Sequence, residues 1–186
     1  MYGNMTNPGR LLECLSFAAA KHRGQLRKGA AASPYINHPI AGAMVLATAG
    51  QVEDEALLLA AVLHDTVEDT NTTFEELEER FGGEVTGLVR ELTDNKKDPK
   101  EVRKQDQIDH ASTASARAKQ LKIADKICNV EDVVASPPPD WSLERRREYL
   151  DWAERVVAGC RGVNEGLEAR FDAALAQARR ALRGGV

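Results

Sequence analysis

Four ionisable side chains follow an apolar run in the segment 57-LLLAAVLHDTVEDT-70. His64 and Asp65 come directly after the run, and Glu68 and Asp69 follow one helical turn later. If the helical turn persists, members of this set that are four residues apart lie on one face, about 5–6 Å apart at their Cβ atoms. Carboxylates and an imidazole crowded in this way would shift one another's pKa values unless a cation lies among them. The spacing therefore predicts a divalent metal site, because a bound metal keeps carboxylates ionised and imidazole neutral.

His38 and Asp125 are the candidates for the remaining ligands. His38 stands in 35-YINHP-39, at the end of a predicted loop and immediately before a predicted buried helix. Asp125 stands in 121-LKIADK-126 among apolar neighbours, and an aspartate is rarely buried without a partner. Two histidines and two aspartates, with positions left open for water, would account for all four residues. The predicted metal ligands are His38, His64, Asp65 and Asp125.

Each of these residues also has a purely structural interpretation. His38 taken alone would more often be a hydrogen-bonded histidine of the core, and Asp65 could cap the end of a helix. Glu68 and Asp69 could be solvated loop charges. The joint pattern, rather than any single residue, favours the metal site.

Apolar residues recur with helical spacing along most of the chain, and no segment alternates as a β-strand does. Helices are predicted over residues 11–23, 40–49, 53–64, 74–81, 84–92, 116–135, 143–157 and 165–182, with another beginning near Pro99. Residues 24–39 are predicted to form an ordered loop, and residues 94–104 a charged, solvated segment. The helix at 53–64 is apolar on nearly all sides, which is typical of a central element. We therefore predict an all-α protein, one domain over residues 1–186 with roughly eight to ten helices.

Composition and charge exclude several classes of protein. The net charge is −4, which argues against a general nucleic-acid-binding protein. No segment approaches about 18 consecutive apolar residues, and the N-terminus lacks a signal-peptide pattern, so no membrane association is expected. The cysteines are odd in number and have no CxxC spacing, which indicates a reducing compartment and predicts a cytoplasmic protein. His22 and His110 have charged or polar neighbours, and we expect both at the surface.

The His…His-Asp…Asp pattern resembles the signature of the HD-domain superfamily of metal-dependent phosphohydrolases, which are all-helical. More specifically, the chain resembles the hydrolase domain of the RelA/SpoT alarmone enzymes, above all the small stand-alone hydrolases similar to the metazoan SpoT homologue. The matching segments extend over nearly the whole chain and are 21-KHRGQLRKG-29, 34-PYINHP-39, 60-AAVLHDTVEDT-70, 81-FGGEV-85, 121-LKIADKICN-129 and 141-WSLERRREYLDWA-153. The resemblance implies a single HD-type domain in which the four predicted ligands bind metal.

The same resemblance implies roles for further residues. Glu68 and Asp69 match the family's catalytic Glu-Asp pair. The implied substrate-binding residues are Arg27 and Lys28 of the family's RK motif, Asn129 near the base or ribose, and Arg145 and Tyr149 near the phosphates.

Two departures from the family pattern affect substrate contacts. The loop between Lys28 and Pro34 carries more small residues than the commonest family spacing. Lys126 stands where the family usually has arginine, so the charge is kept but the planar, two-pronged hydrogen bonding is lost.

The ligand set and the resemblance together predict the cofactor and the reaction. Two histidines beside two carboxylates disfavour both a structural zinc site and the all-oxygen coordination that Mg²⁺ or Ca²⁺ prefer. Mn²⁺, one ion per site, is the compromise and is also what the resemblance implies, with Fe²⁺, Co²⁺ or Zn²⁺ as alternatives. The implied reaction is hydrolysis of the stringent-response alarmone (p)ppGpp at its 3′-pyrophosphate, giving GDP or GTP and pyrophosphate. A metal-bound water would attack phosphorus, assisted by Glu68 or Asp69. The expected partner is therefore a small nucleotide.

Two other functions remain open. The same metal and Glu-Asp pair could serve a phosphatase acting on NADPH or another 2′- or 3′-phosphorylated nucleotide. A catalytically silent domain could bind alarmone or a protein partner, although the presence of all six predicted metal-binding and catalytic residues argues against silence.

Overall fold

The computed structural model describes residues 7–184, and it contains ten α-helices in that range. They are α1 (Pro8–Lys21), α2 (Asn37–Thr48), α3 (Glu55–Leu63), α4 (Thr66–Asp69), α5 (Phe74–Phe81), α6 (Gly83–Leu92), α7 (Lys100–Asp109), α8 (Ala116–Ala135), α9 (Leu143–Cys160) and α10 (Glu165–Arg183). The described residues form no β-strand, only an isolated bridge between Leu26 and Pro34. The prediction of an all-α protein is confirmed. None of these ten helices carries an apolar stretch of the length that a bilayer crossing requires.

Helix α3 lies at the centre of the molecule. All of its residues from Leu57 to Leu63 are buried, and it packs against α1, α2, α6 and α8. Asp54 caps its first turn, since the Asp54 carboxylate accepts a hydrogen bond from the Leu57 backbone N–H at 3.1 Å. A helix that is apolar on every side can be stable only when it is enclosed. His64, which directly follows the last residue of α3, is therefore held at the edge of the core.

Helix α8 is the long helix against which the site is assembled. It spans 20 residues, packs against α2, α3, α9 and α10, and ends before Ser136 and Pro137. Asp125 lies near its middle, among the buried residues Ile123, Ala124 and Ile127. Because α2 and α3 both pack on α8, their polar ends converge on Asp125.

Helix α2 begins at Asn37, three residues before the predicted start at residue 40. The backbone N–H of His38 donates to the carbonyl of Tyr35 at 3.0 Å, so a tight turn leads into the helix. The bridge between Leu26 and Pro34 holds the two ends of the preceding loop together. His38 thus stands in the first turn of a helix rather than at the end of a loop, which gives it a fixed backbone.

The predicted helical turn after His64 persists as a separate short helix. Helix α3 ends at Leu63, and α4 follows after Asp65. The backbone N–H of Asp69 donates to the carbonyl of Asp65 at 2.8 Å, which keeps the four-residue spacing helical.

The start of α10 is packed against the end of α2. The Asn164 side chain accepts a hydrogen bond from the Leu167 N–H at 3.1 Å and donates one to the Gly50 carbonyl at 2.9 Å. A Cβ atom at Gly166 would lie only 2.2 Å from the Ala49 carbonyl oxygen. This close approach fixes the helix that carries His38.

Gly166→Ala is therefore expected to lower the free energy of unfolding by about 1–3 kcal/mol, because the new methyl group would meet backbone that has little room to move. Gly87→Ala in α6 is the control, since nothing lies within 4 Å of a Cβ at that position. The control should raise stability by up to about 1 kcal/mol, the helix-propensity gain of alanine over glycine. Urea denaturation measures both variants, and equal changes would contradict the close approach of α10 to α2.

Candidate metal centre and active site

Three of the predicted metal ligands meet where α2, α3 and α4 approach one another. His38 lies in the first turn of α2, His64 follows the last residue of α3, and Asp65 precedes the first residue of α4. Each side chain offers one ligand atom, and the three atoms all lie within 4.8 Å of one another. The side chains are close enough to share a single cation.

Asp125 joins this group from α8. Its Oδ1 lies 3.0 Å from His38 Nε2 and 3.8 Å from His64 Nε2. Lys126 donates to its Oδ2 at 2.8 Å, and the Asn129 amide donates to its Oδ1 at 2.7 Å. Burial raises the pKa of Asp125, but the charge of Lys126 and the hydrogen bond from His38 hold it well below its usual range. Asp125 is therefore an ionised carboxylate that faces both histidines.

The hydrogen bonds of His64 leave one ring nitrogen available. Its Nδ1 donates to the carbonyl oxygen of Ala61 at 2.8 Å, so Nδ1 carries a hydrogen. Its Nε2 lies 3.2 Å from Asp65 Oδ2 but is buried and has no hydrogen-bond partner among residues 7–184. Burial lowers the pKa of His64, whereas the charges of Asp65 and Asp125 raise it to about 9 overall. A buried nitrogen that faces carboxylates and lacks a partner fits a divalent metal, because a cation between them satisfies both.

Tyr35, which was not among the predicted site residues, connects this group to Asp69. Its hydroxyl lies 2.8 Å from Asp65 Oδ2 and 2.9 Å from Asp69 Oδ2. A phenol has one hydrogen to donate, so the two carboxylates share it. Tyr35 stands in the matching segment 34–39, but a loop tyrosine gives no local signal of a carboxylate contact 30 residues away.

The prediction that His22 lies at the surface is wrong. His22 is 3% exposed, and its ring stacks on Tyr35 with centroids 4.9 Å apart. Its Nδ1 lies 2.8 Å from Gln25 Oε1. The residue ends α1 where the 24–36 loop folds back on it, so its charged sequence neighbours do not indicate its burial. His110 is exposed, as expected.

Glu68 lies beside the candidate ligands with partners of its own. Its Oε2 accepts a hydrogen bond from the backbone N–H of Asp94 at 3.3 Å, and its Oε1 lies 3.5 Å from an Arg103 nitrogen. Burial, with the neighbouring charges of Asp94 and Asp65, raises the pKa of Glu68 to about 7. A carboxyl group with this pKa is suited to accepting a proton near neutral pH.

Asp69 is held differently from its neighbour Glu68. Its carboxylate contacts Tyr35 and forms an ion pair with Lys96. Its backbone carbonyl accepts a hydrogen bond from the Gln25 side chain at 2.8 Å. Both carboxylates line the inner pocket, but Glu68 is held by Arg103 of α7 and Asp69 by Tyr35 of the 24–36 loop.

Three adjoining cavities surround these residues. The inner pocket, of about 220 Å³, is lined by the four candidate ligands together with Glu68, Asp69, Asp94, Arg103 and Lys122. The loop cleft, of about 530 Å³, is lined by Arg27, Lys28, Asn129, Trp141 and Tyr149. The α7 cleft, of about 760 Å³, is lined by Lys100, Arg103, Lys104, Arg145 and Tyr149. Shared lining residues join the three, so they form one continuous site.

All five predicted substrate-binding residues line this continuous site. Arg27 donates to Asn129 Oδ1 at 2.9 Å and forms an ion pair with Asp132 at 2.6 Å, which fixes its guanidinium at the mouth of the inner pocket. Lys28 and Tyr149 line both the loop cleft and the α7 cleft. Arg145 lines the α7 cleft alone and packs over Trp141, with its guanidinium carbon 4.9 Å from the ring centroid.

The long 29–33 loop is attached to the end of α8. The backbone N–H of Ala30 donates to the Pro137 carbonyl at 3.2 Å, and that of Ala31 donates to the Ser136 hydroxyl at 3.0 Å. A Cβ at Gly29 would lie 2.2 Å from the Ser136 carbonyl oxygen, so only glycine permits this approach. The extra residues therefore leave Lys28 at the edge of both clefts.

The charged segment 94–104 does not behave as a purely solvated segment. Helix α7 places Arg103 and Gln107, four residues apart, on one face towards the inner pocket. The Gln107 side chain donates to Asp94 Oδ2 at 2.6 Å. The contact of Gln107 with Asp94 joins positions 13 residues apart, and that of Asp94 with Glu68 joins positions 26 residues apart. Local composition does not indicate such contacts.

Comparison with known proteins agrees with this geometry. The sequence model of the HD domain matches residues 14–151, and the chain belongs to the HD-domain family. It is 49% identical over 162 residues to the guanosine-3′,5′-bis(diphosphate) 3′-pyrophosphohydrolase MESH1 of Xenopus tropicalis. The aligned region covers 87% of this chain and 90% of the frog protein. It is 48% identical over 159 residues to the Homo sapiens protein of the same name, covering 86% of this chain and 89% of the human one.

A solved structure is also similar over nearly the full length. Its TM-score is 0.89 with 43% identity, covering 98% of this chain and 99% of that chain, and it is described as "A metazoan ortholog of SpoT hydrolyzes ppGpp and plays a role in starvation responses". The resemblance to the RelA/SpoT hydrolases is therefore confirmed. The extension of a single HD domain over residues 1–186 stays a prediction.

Lys126→Met is expected to lower the free energy of unfolding by about 3–5 kcal/mol in the presence of a chelator, because it leaves the largely buried Asp125 side chain, 16% exposed, without its ammonium partner. Lys126 is 6% exposed, and its ammonium lies 4.7 Å from the Trp152 ring centroid. Water therefore has little access to solvate Asp125 from this side once the ammonium is removed. Lys119→Met, on the same helix but partly exposed, is the control and should change stability by less than about 0.5 kcal/mol. A Lys126→Met protein as stable as the control in urea would contradict the pairing with Asp125.

Proposed function

We propose that this protein hydrolyses guanosine 3′,5′-bis(diphosphate) and its 5′-triphosphate analogue at the 3′-pyrophosphate, releasing pyrophosphate and GDP or GTP. The observation that carries the proposal is the group of His38, His64, Asp65 and Asp125 beside Glu68, at the inner end of a site lined by cations. The names of the similar frog and human proteins, and the description of the similar solved structure, support this substrate.

We infer that the two histidines and the two aspartates hold one Mn²⁺ ion. Mixed imidazole and carboxylate donors favour a first-row divalent ion over Mg²⁺ or Ca²⁺. The unpartnered Nε2 of His64 supports binding at this position. When bound there, the ion supplies Lewis acidity, which lowers the pKa of water and polarises a phosphoryl oxygen.

Glu68 is the proposed general base. Its contacts with the Asp94 N–H and Arg103 orient the carboxylate, and its raised pKa of about 7 suits proton transfer at neutral pH. Glu68 would take a proton from the attacking water while the water oxygen forms a bond to phosphorus. The bond between that phosphorus and the 3′ oxygen then breaks, and the nucleotide leaves. Asp69, held by Tyr35 and Lys96, is the proposed second catalytic carboxylate and would orient the same water.

The proposed substrate contacts follow the joined clefts. Arg27 and Asn129, at the boundary of the inner pocket and the loop cleft, would bind near the ribose and the 3′-phosphates. Lys28, Arg145 and Tyr149 line the wider part and would bind the remaining phosphates. The cations that line the α7 cleft would attract an anionic substrate although the net charge of the chain is −4. We further propose that the protein is cytoplasmic and that residues 1–186 act as one domain.

Product analysis with metal-stripped protein tests the proposal. The protein is given ppGpp with and without added Mn²⁺, and NADPH is assayed in parallel. Release of GDP and pyrophosphate that requires Mn²⁺, with kcat/KM well above that for NADPH, is the expected result. Phosphate release from NADPH, with no turnover of ppGpp, would show that the substrate is a 2′-phosphorylated nucleotide instead. Tight alarmone binding without any turnover would show that the protein binds the alarmone without hydrolysing it.

Substitutions of Glu68 and Asp65 separate proton transfer from metal binding. Glu68→Gln should bind Mn²⁺ as the wild type does and lose about 100-fold or more in kcat, because the amide cannot accept a proton. Asp65→Asn should lose metal affinity and activity together. Metal content by elemental analysis and steady-state kinetics measure both effects.

The pH dependence provides a further measurement on the wild type. A raised pKa means that Glu68 is ionised above about pH 7 and protonated below it, so kcat/KM should fall as the pH drops through this value. If Glu68→Gln kept near-normal kcat, Glu68 could not be the base.

A further inference from the structure

Lys122 is a buried cation of the inner pocket that neither the metal group nor Glu68 uses. It lies on α8, one turn before Asp125, and is 7% exposed. Its neighbours Leu121 and Ile123 are buried in the core, yet Lys122 itself lines the inner pocket. Its ammonium makes no hydrogen bond or ion pair with any described residue between 7 and 184.

The carboxylates whose charges act on Lys122 already have other partners. Asp94 accepts a hydrogen bond from Gln107 at 2.6 Å. Asp125 accepts from Lys126 and Asn129 at 2.8 and 2.7 Å. Both act on Lys122 only through their charge, at longer range. The ammonium therefore has no direct partner among the described residues and lines the inner pocket.

Lys126, one turn further along the same helix, is a buried lysine whose charge is compensated by a carboxylate. It donates to Asp125 and lies over the Trp152 ring. Burial by itself would lower the pKa of Lys126, but the charge of Asp125 and the hydrogen bond to it raise this pKa. By contrast, burial together with the repulsion from Lys126 lowers the pKa of Lys122. Of these two buried lysines on one helix, only Lys126 donates a hydrogen bond to a described residue.

An ammonium that lines a pocket without a protein partner can pair directly with an anion that enters the pocket. The inner pocket is where the proposed reaction needs positive charge. Negative charge builds up on the non-bridging oxygens of the attacked phosphoryl group in phosphoryl transfer. A lysine is a strong ligand for such oxygens as a compact point charge.

We propose that Lys122 is a phosphate-binding residue that contacts a non-bridging oxygen of the phosphoryl group attacked in the inner pocket. The proposal rests on the proposed function for the identity of the nucleotide, but only on the pocket for the phosphoryl group. It assigns Lys122 a role different from that of Lys28 and Arg145, which line the outer clefts.

Lys122→Met tests the proposal, because methionine keeps the unbranched apolar stem and removes the charge. Lys119→Met, on the same helix and outside the inner pocket, is the matched control. Three quantities are measured on the full chain: pyrophosphate affinity of the Mn²⁺-loaded protein by calorimetry, kcat and KM with ppGpp, and stability in urea. We expect Lys122→Met to bind pyrophosphate about tenfold or more weakly and to lose about 100-fold in kcat, the range seen when one charged contact to the reacting group is removed.

The stability measurement separates a ligand-binding role from a structural one. Because Lys122 has no direct partner, Lys122→Met should be at least as stable as Lys119→Met. A clear loss of stability would show that the ammonium already has a favourable interaction without ligand, and it would overturn the proposal. Pyrophosphate affinity and kcat within about threefold of the control would overturn it as well.

The same measurements distinguish failure of this inference from failure of the proposed function. If the wild type does not hydrolyse ppGpp, the proposed function is wrong, and pyrophosphate binding alone decides the role of Lys122. Weaker binding by Lys122→Met than by Lys119→Met would then still support it. No pyrophosphate binding by the wild type, or equal binding by all three proteins, would overturn it.

Discussion

The compensation of the half-buried Asp65 and Asp125 carboxylates at the edge of the apolar core is the constraint on which the rest of the site depends. An ionised carboxylate that is taken from water strongly destabilises a protein unless it is paired and hydrogen-bonded. Asp125 accepts hydrogen bonds from Lys126 and Asn129 of its own helix, and Asp65 accepts one from Tyr35 of the preceding loop. What remains is the space between these carboxylates and the two histidines, which a single cation would satisfy. Helices α2, α3 and α8 must therefore keep their mutual positions for the core as well as for the site.

Cations line the site at every depth of this molecule. Arg27, Lys122 and Lys126 line the inner pocket beside the acidic candidate ligands, and Lys28 and Arg145 line the outer clefts. Cations along a cleft attract an anionic ligand even when the chain as a whole is acidic. The series of cations from the outer clefts to the inner pocket thus suits a polyphosphate whose reacting group must reach the metal ligands.

Helix α8 unites the two parts of this arrangement. Its middle turns carry Lys122, Asp125, Lys126 and Asn129, and its C-terminal end anchors the loop that carries Lys28. One rigid helix therefore sets the distance between the candidate metal ligands and the outer substrate contacts. A site built on such an element needs little reorganisation when a ligand enters.

The sequence alone determined the helical class, the central position of α3, and the candidate ligands and carboxylates, because each of these leaves a local trace. The trace is an apolar period, a four-residue offset, or a charged residue among apolar ones. Tyr35, the burial of His22, the approach of Arg103 and the unpaired state of Lys122 were decided only by the tertiary structure. Each depends on which side chains meet across tens of residues, as Tyr35 and Asp65 do 30 residues apart. Local patterns report how one segment folds, whereas the partners of a polar group are set by how separate segments pack.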